Sequence, residues 1–216
     1  MNVVFLGPPG AGKGTQAKVI ADEKGIAHVS TGDILREAVA KGTDLGKKAK
    51  AFMDSGALVP DDLVVAMVAE RLSRADCRRG FILDGFPRTI AQAEALAKTL
   101  ERSGRKLDCV GYFKVDDDQV VERLSGRRIC RRCGANYHVT FMPPAVPGKC
   151  DKCGGELYQR DDDRAETIRE RLRVYYRETA DLVSFYGKRG LLFEVDASLS
   201  PSEVTETVRR TVCCAL

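Results

Sequence analysis

Two groups of residues have types and spacings suited to chemistry. The stretch "GPPGAGKGT", Gly7 to Thr15, nearly matches the phosphate-cradling pattern G-x-x-x-x-G-K-[ST]. Gly7, Gly12 and Lys13 fall in register, but Gly14 follows and the hydroxyl arrives one place late, at Thr15. In the standard loop that hydroxyl holds magnesium. The backbone N–H groups of Gly10, Ala11, Gly12, Lys13, Gly14 and Thr15 can point inward at phosphate oxygens, helped by a helix N-terminus. Lys13 then supplies a point charge to a transferring group. A tight glycine turn alone gives no reason for the lysine. The second group is "CRRC", with Cys130 and Cys133, followed sixteen residues later by "CDKC", with Cys150 and Cys153. Four thiolates in a tetrahedron suit zinc, and a four-sulfur site also suits iron. Four protein ligands leave no open position, so such a metal is structural. Two disulfides or free thiols are the plain alternative.

Asp84 ends the apolar run "FILD". A carboxylate beside a phosphate loop is where magnesium or its water shell needs oxygen; otherwise Asp84 forms a turn before Gly85. Six arginines, Arg36, Arg88, Arg123, Arg127, Arg160 and Arg171, are spread along the chain. Arg88, in "DGFPR", directly follows that run. Arg127 and Arg128 border the cysteine segment and Arg160 closes it. The two histidines, His28 and His138, stand in no triad-like context.

These residues need elements to position them. The runs Asn2–Leu6, Phe81–Asp84, Cys109–Val115 and Leu191–Val195 read as buried strands, with Ala27–Ser30 as a further one. "KGTQAKVIADEKG" reads as a helix with Ala17, Ile20 and Ala21 on one face and Gly25 as its C-terminal cap. Thr89 to Gly104 and Asp116 to Ser125 also read as helices, and a long helix begins near "DDDRAETIRERL". In "SPSEVTETVRRTV", Ser200 is an N-cap, Pro201 suits the first turn and Glu203 completes a capping box. Strands alternating with helices predict an α/β fold, a parallel P-loop sheet with helices on both faces. Ligands of such a sheet bind at the carboxyl ends of its strands. Two segments interrupt the alternation: Thr31–Val59 is helical without a strong strand, and Arg127–Tyr158 is rich in Cys, Gly and Pro.

The 216 residues, 44% apolar and 31% charged, suit one soluble globular domain with small inserts. No run approaches a membrane span, and "MNVVFLGPPG" has no basic leader, so a cytoplasmic protein is expected. Reducing conditions there favour metal ligation by the paired cysteines over disulfides. Cys77, Cys109, Cys213 and Cys214 receive no role. A net charge of +4 does not by itself argue for nucleic acid.

Taken together, "GPPGAGKGTQA", "STGDILR", "LDGFPRT", "GRR" before the cysteines and "DDDRAETIRERL" resemble the adenylate kinase family, in its bacterial form with a metal-bearing lid. The resemblance covers Met1 to about Val212. In that family the loop reads G-K-G-T, so the loop is intact and magnesium is held by nucleotide phosphates and waters, with the residue matching Asp84 ordering that shell. The implied reaction is ATP + AMP = 2 ADP with Mg2+. The resemblance implies a core of residues 1–29, 60–126 and 164–216, a helical AMP-binding insert at 30–59 and a small zinc-ribbon-like β lid at 127–163. Residues 10–15 would hold the ATP phosphates. Arg123, Arg127, Asn136 and Tyr137 would lie on the ATP side, and Leu199 would offer a backbone carbonyl to its base. Thr31, Arg36, the backbone of Ala57, Leu58 and Val59, Gly85, Phe86, Pro87, Arg88 and Gln92 would hold AMP, Gln92 reading the adenine edge. Arg160 and Arg171 would reach across to the phosphates in flight. "DASLSPSE" departs from the family's usual Asp-Gly-Thr before the last helix.

In that chemistry an ionised AMP phosphate oxygen is the nucleophile, and no general base is needed. Alignment and charge neutralisation by Lys13 and the arginines suffice. Two rival readings follow: a monophosphate kinase for another base, and a nucleic-acid-binding protein using "RRICRRCG" as a basic zinc ribbon. A monomer without nucleic-acid or membrane partners is expected.

Overall fold

The computed structural model describes residues 1–214, with side chains to Val212. In chain order the elements are β1 (Asn2–Leu6), α1 (Lys13–Lys24), β2 (Ala27–Ser30), α2 (Thr31–Ala40), α3 (Asp44–Ser55), α4 (Asp61–Ser73), β3 (Phe81–Asp84), α5 (Ile90–Arg102), β4 (Cys109–Lys114), α6 (Asp117–Ser125), β5 (Arg127–Cys130), β6 (Asn136–His138), β7 (Leu157–Tyr158), α7 (Ala165–Val174), α8 (Asp181–Gly187), β8 (Leu192–Asp196) and α9 (Pro201–Cys214). Cys213 and Cys214 close α9, and their side chains lie outside the described part.

The main sheet has five parallel strands in the order β2-β3-β1-β4-β8. β1 sits at its centre and is buried on both faces. That explains its unbroken apolar run, since a strand covered by helices on both sides has no polar face to alternate with. One core cluster lies between the sheet and α4, α5 and α8; the other joins α1 and α9 to the opposite face. In α1 the expected face Ala17, Ile20 and Ala21 is buried, and Gly25 ends the helix in the left-handed conformation. At the start of α9, Ser200 and Glu203 exchange the two bonds of a capping box: Ser200 N donates to Glu203 Oε2 at 3.0 Å and Glu203 N to Ser200 Oγ at 3.4 Å. Strand and helix ends move by one residue: β4 stops at Lys114, β8 runs Leu192–Asp196, and Asp116 is the N-cap of α6. The helix after "DDD" is longer than α7 alone, because a π-helical turn, Tyr175–Thr179, joins it to α8.

The two interruptions take definite form. α2 and α3 make a helix pair. The cysteine-rich segment is a three-stranded antiparallel sheet in the order β6-β5-β7. No helix among the described residues is long and apolar enough to cross a membrane.

Candidate active site

One cleft of about 1140 Å³ opens at the carboxyl ends of the parallel strands, between the helix pair and the small sheet. The glycine loop forms its floor. Gly12 takes a positive φ of 84°, which lets the chain turn from β1 into α1, and no side chain caps the helix. The first-turn amides are therefore left for an anion. Lys13 curls over the loop, its Nζ donating to Gly7 O at 2.8 Å and to Pro8 O at 2.6 Å. Burial is the main force on this amine, with Arg88, Arg171 and Arg127 adding repulsion; only Asp84 opposes them, and the Lys13 pKa falls to about 8.

Asp84 faces the loop. A Cβ on Gly14 would stand 2.8 Å from Asp84 Oδ2, so the carboxylate approaches this closely because Gly14 has no side chain. Burial raises the Asp84 carboxyl, but the His28 imidazole 3.8 Å away and the charge of Lys13 outweigh it, holding its pKa below the ordinary value. An ionised oxygen beside a phosphate loop fits the magnesium shell.

All six arginines line this cleft. Arg88 is held from three directions: its N–H donates to Gln92 Oε1 at 2.8 Å, its carbonyl accepts from Thr179 Oγ1 at 2.9 Å, and its Nε donates to Gly85 O at 2.8 Å. Burial, then repulsion from Arg171, draws its guanidinium down to about 10. Arg123 donates to Ala197 O at 2.8 Å. Arg127 grips the fully buried Asp163 through two bonds, 2.8 and 2.6 Å. Arg171 lies 3.1 Å from Asp162 and 3.5 Å from Asp163. Arg36 and Arg160 share Asp33, at 2.6 and 3.5 Å. Four of the six arginines, Arg36, Arg127, Arg160 and Arg171, face carboxylates that sequence reasoning left out. The run "DDD" beside Arg160 carried that signal, because buried like charges need counter-charges.

The other expected residues also converge. Residues 10–15, Thr31, Ala57, Leu58, Val59, Gly85, Pro87, Gln92, Asn136, Tyr137 and Leu199 all line the cleft. Phe86 does not. It is 1% exposed and packs in the core beneath, because an aromatic ring at this turn gains more from burial than from facing charged groups. Thr31 donates to Gly85 O at 2.9 Å, bracing the turn. The Gln92 amide is engaged by the protein itself, accepting from Arg88 N and donating to Asp61 Oδ1 at 2.6 Å. Asp61 and Thr179 are therefore supporting residues that no motif revealed. His138 belongs to the scaffold: its Nδ1 accepts from Thr140 N and Phe141 N, both at 3.0 Å, and its Nε2 faces Glu122 O at 3.2 Å.

In the small sheet the sulfurs of Cys130, Cys133, Cys150 and Cys153 lie within 4.8 Å of one another, and none is in a disulfide. The pairs Cys130–Cys153 and Cys133–Cys150 stand 3.5 Å apart. A zinc–sulfur tetrahedron has edges of about 3.8 Å. A Cβ on Gly155 would come within 2.9 Å of Cys130 Sγ and 3.3 Å of Cys153 Sγ, so the glycine keeps this knot open. The site fits a tetrahedral metal.

The adenylate kinase family model matches residues 5–191. The chain is 59% identical over 198 residues to the adenylate kinase of Archaeoglobus fulgidus, covering 92% of this chain and 91% of that protein. It is 55% identical to that of Syntrophotalea carbinolica over the full length of both, and 54% to that of Methanocella arvoryzae over 98% of each. The chain belongs to the adenylate kinase family. It is a phosphotransferase that carries the nucleoside monophosphate kinase reaction on adenine nucleotides, and the family uses magnesium. A cleft lined by free helix-start amides and six arginines suits that reaction.

Proposed function

We propose that the cleft binds ATP and AMP end to end and runs ATP + AMP = 2 ADP. The convergence of Lys13 and six arginines on one cleft at the strand ends carries this reading. The AMP phosphate oxygen attacks the terminal phosphorus of ATP, a new P–O bond forms, and the bond to the ADP leaving oxygen breaks. No proton need be removed, since the attacking oxygen is already ionised. Residues 10–15 hold the ATP phosphates through backbone amides, and Lys13 swings from its loop carbonyls onto the transferring group. Arg123 and Arg127 serve the ATP side. Arg36 and Arg88 hold the AMP phosphate, while Arg160 and Arg171 span the two. Planar guanidinium forks grip phosphate oxygens in pairs, which suits alignment as well as charge. Magnesium would neutralise phosphate charge, and Asp84 would order its waters.

Thr31, the Ala57–Val59 backbone, Gly85, Pro87 and Gln92 form the AMP pocket. Gln92 can read the base only by exchanging its bond to Asp61 for one to the adenine edge. Asn136, Tyr137 and Leu199 flank the ATP base side. Residues 30–59 and 127–163 act as two flaps on a core of 1–29, 60–126 and 164–216, and exclude water when both substrates are present. The four cysteines would hold a structural zinc ion, which takes the place of a hydrophobic core in an insert too small to build one. Free thiols at Cys77 and Cys109 suit the cytoplasm, and the chain acts as a monomer. In a coupled ADP assay with Mg-ATP, AMP should far exceed GMP, CMP and UMP as acceptor. Absence of ADP formation with AMP would overturn the reading, and equal use of another monophosphate would reassign the acceptor.

A further inference from the structure

Tyr137 lies at the middle of β6, between Asn136 and His138, opposite Arg128 of β5. All three residues of β6 line the cleft, yet the Tyr137 ring is 7% exposed and packs among Cys130, Ala135 and Cys150. Its hydroxyl has two partners. The N–H of Asp151 reaches Tyr137 Oη at 2.8 Å, and an amide N–H can only donate. The phenolic proton is therefore left for the other partner, Cys150 Sγ, at 3.4 Å. A metal-bound thiolate sulfur is an acceptor, so the two groups match. We infer that Tyr137 is a positioning residue for the lid metal: its hydroxyl donates to the Cys150 sulfur and ties the cleft-facing strand to the four-cysteine knot.

The tie has a consequence for function, which rests on the reading that Asn136 and Tyr137 flank ATP. A nucleotide that holds β6 in place also holds the donor against Cys150, so it tightens metal binding and slows release. By thermodynamic reciprocity the metal then favours nucleotide binding. The mature path between the two sites is a single side chain, not a long chain of contacts.

The test follows zinc release from the loaded enzyme into a coloured chelator, for the parent, Tyr137→Phe and Tyr158→Phe. Tyr158 is a tyrosine of the same sheet whose ring lies under the Arg131 guanidinium, 4.3 Å away. Loss of a supporting hydrogen bond to a metal ligand should speed release by about tenfold in Tyr137→Phe, while Tyr158→Phe matches the parent. The cobalt-loaded proteins give a reading independent of release: the sulfur-to-metal charge-transfer band should shift in Tyr137→Phe alone. A non-hydrolysable ATP analogue should slow release from the parent and lose most of that effect in Tyr137→Phe. Equal release from parent and Tyr137→Phe, or equal acceleration by both variants, overturns the role of the hydroxyl. An analogue without effect on the parent overturns the linkage, and ADP formation by the same sample shows separately whether the kinase reading stands. A Tyr137→Phe protein that folds without taking up metal, beside a Tyr158→Phe protein that loads like the parent, supports the role of the hydroxyl, and failure of both variants to load overturns it.

Discussion

Lys13 occupies an unusual position for a lysine: buried, folded onto carbonyls of its own loop, and surrounded by guanidinium groups. Its pKa of about 8 is set by burial and by the neighbouring charges of the protein. Bound phosphate oxygens favour the charged amine and raise that value. The free-enzyme profile, kcat/KM for ATP, should therefore fall as pH rises through about 8, while kcat at saturation holds to higher pH. Parallel profiles of kcat and kcat/KM would contradict this. The sign for folding is opposite. Between the depressed folded value and the ordinary lysine value the unfolded chain binds the extra proton, so this residue's cost to stability is relieved as pH rises across that window. Replacing Lys13 by Met should lower kcat by roughly 10²-fold or more, by analogy with loss of one preorganised donor, measured as initial ADP formation.

At the scale of elements, the helix pair α2–α3 depends on one close approach. A Cβ on Gly46 would sit 2.1 Å from Ala38 O, a distance no small side-chain shift can relieve. Gly46→Ala should force the helices apart and cost about 1–3 kcal/mol, the range for overpacking. Because this pair carries Thr31 and Arg36, the KM for AMP should rise more than that for ATP; equal changes would separate the pair from AMP binding. The small sheet has a different support. Its buried cluster is little more than Cys130, Ala135, Tyr137 and Cys150. Chelating the metal or replacing Cys130 by Ser should lower the melting temperature by more than it alters the chemical step. Unchanged melting after metal removal would count against a structural role.

Across the whole molecule, the acidic residues Asp33, Asp162 and Asp163 answer the arginines from within the two inserts, Asp33 on the helix pair and Asp162 and Asp163 at the end of the cysteine-rich segment. Asp33, on the helix pair, meets Arg160, which ends the small sheet's segment. The two inserts are thus in electrostatic contact across the cleft, and under the proposed function polyphosphates would compete with the carboxylates for the same guanidinium groups. Water is the acceptor to be excluded. With Mg-ATP and no AMP, phosphate release should be negligible beside ADP formation with both nucleotides, because complete closure needs both. Comparable rates with and without AMP would remove the case for closure.

The sequence alone determined the glycine loop, the strand–helix alternation and the four-cysteine knot. Each is encoded within a short stretch, where spacing dictates backbone hydrogen bonding or metal geometry. It also singled out six arginines that the fold brings to one cleft. What it did not contain was their partners. Asp33 and Arg160 stand 127 residues apart, and Arg127 and Asp163 stand 36 apart; sheet order and insert packing bring them together, and neither leaves a local periodicity. Phe86 shows the same division. The motif places it at the turn after β3, but only the packing of the core decides that its ring goes under the cleft, where burial of an aromatic surface outweighs contact with charge.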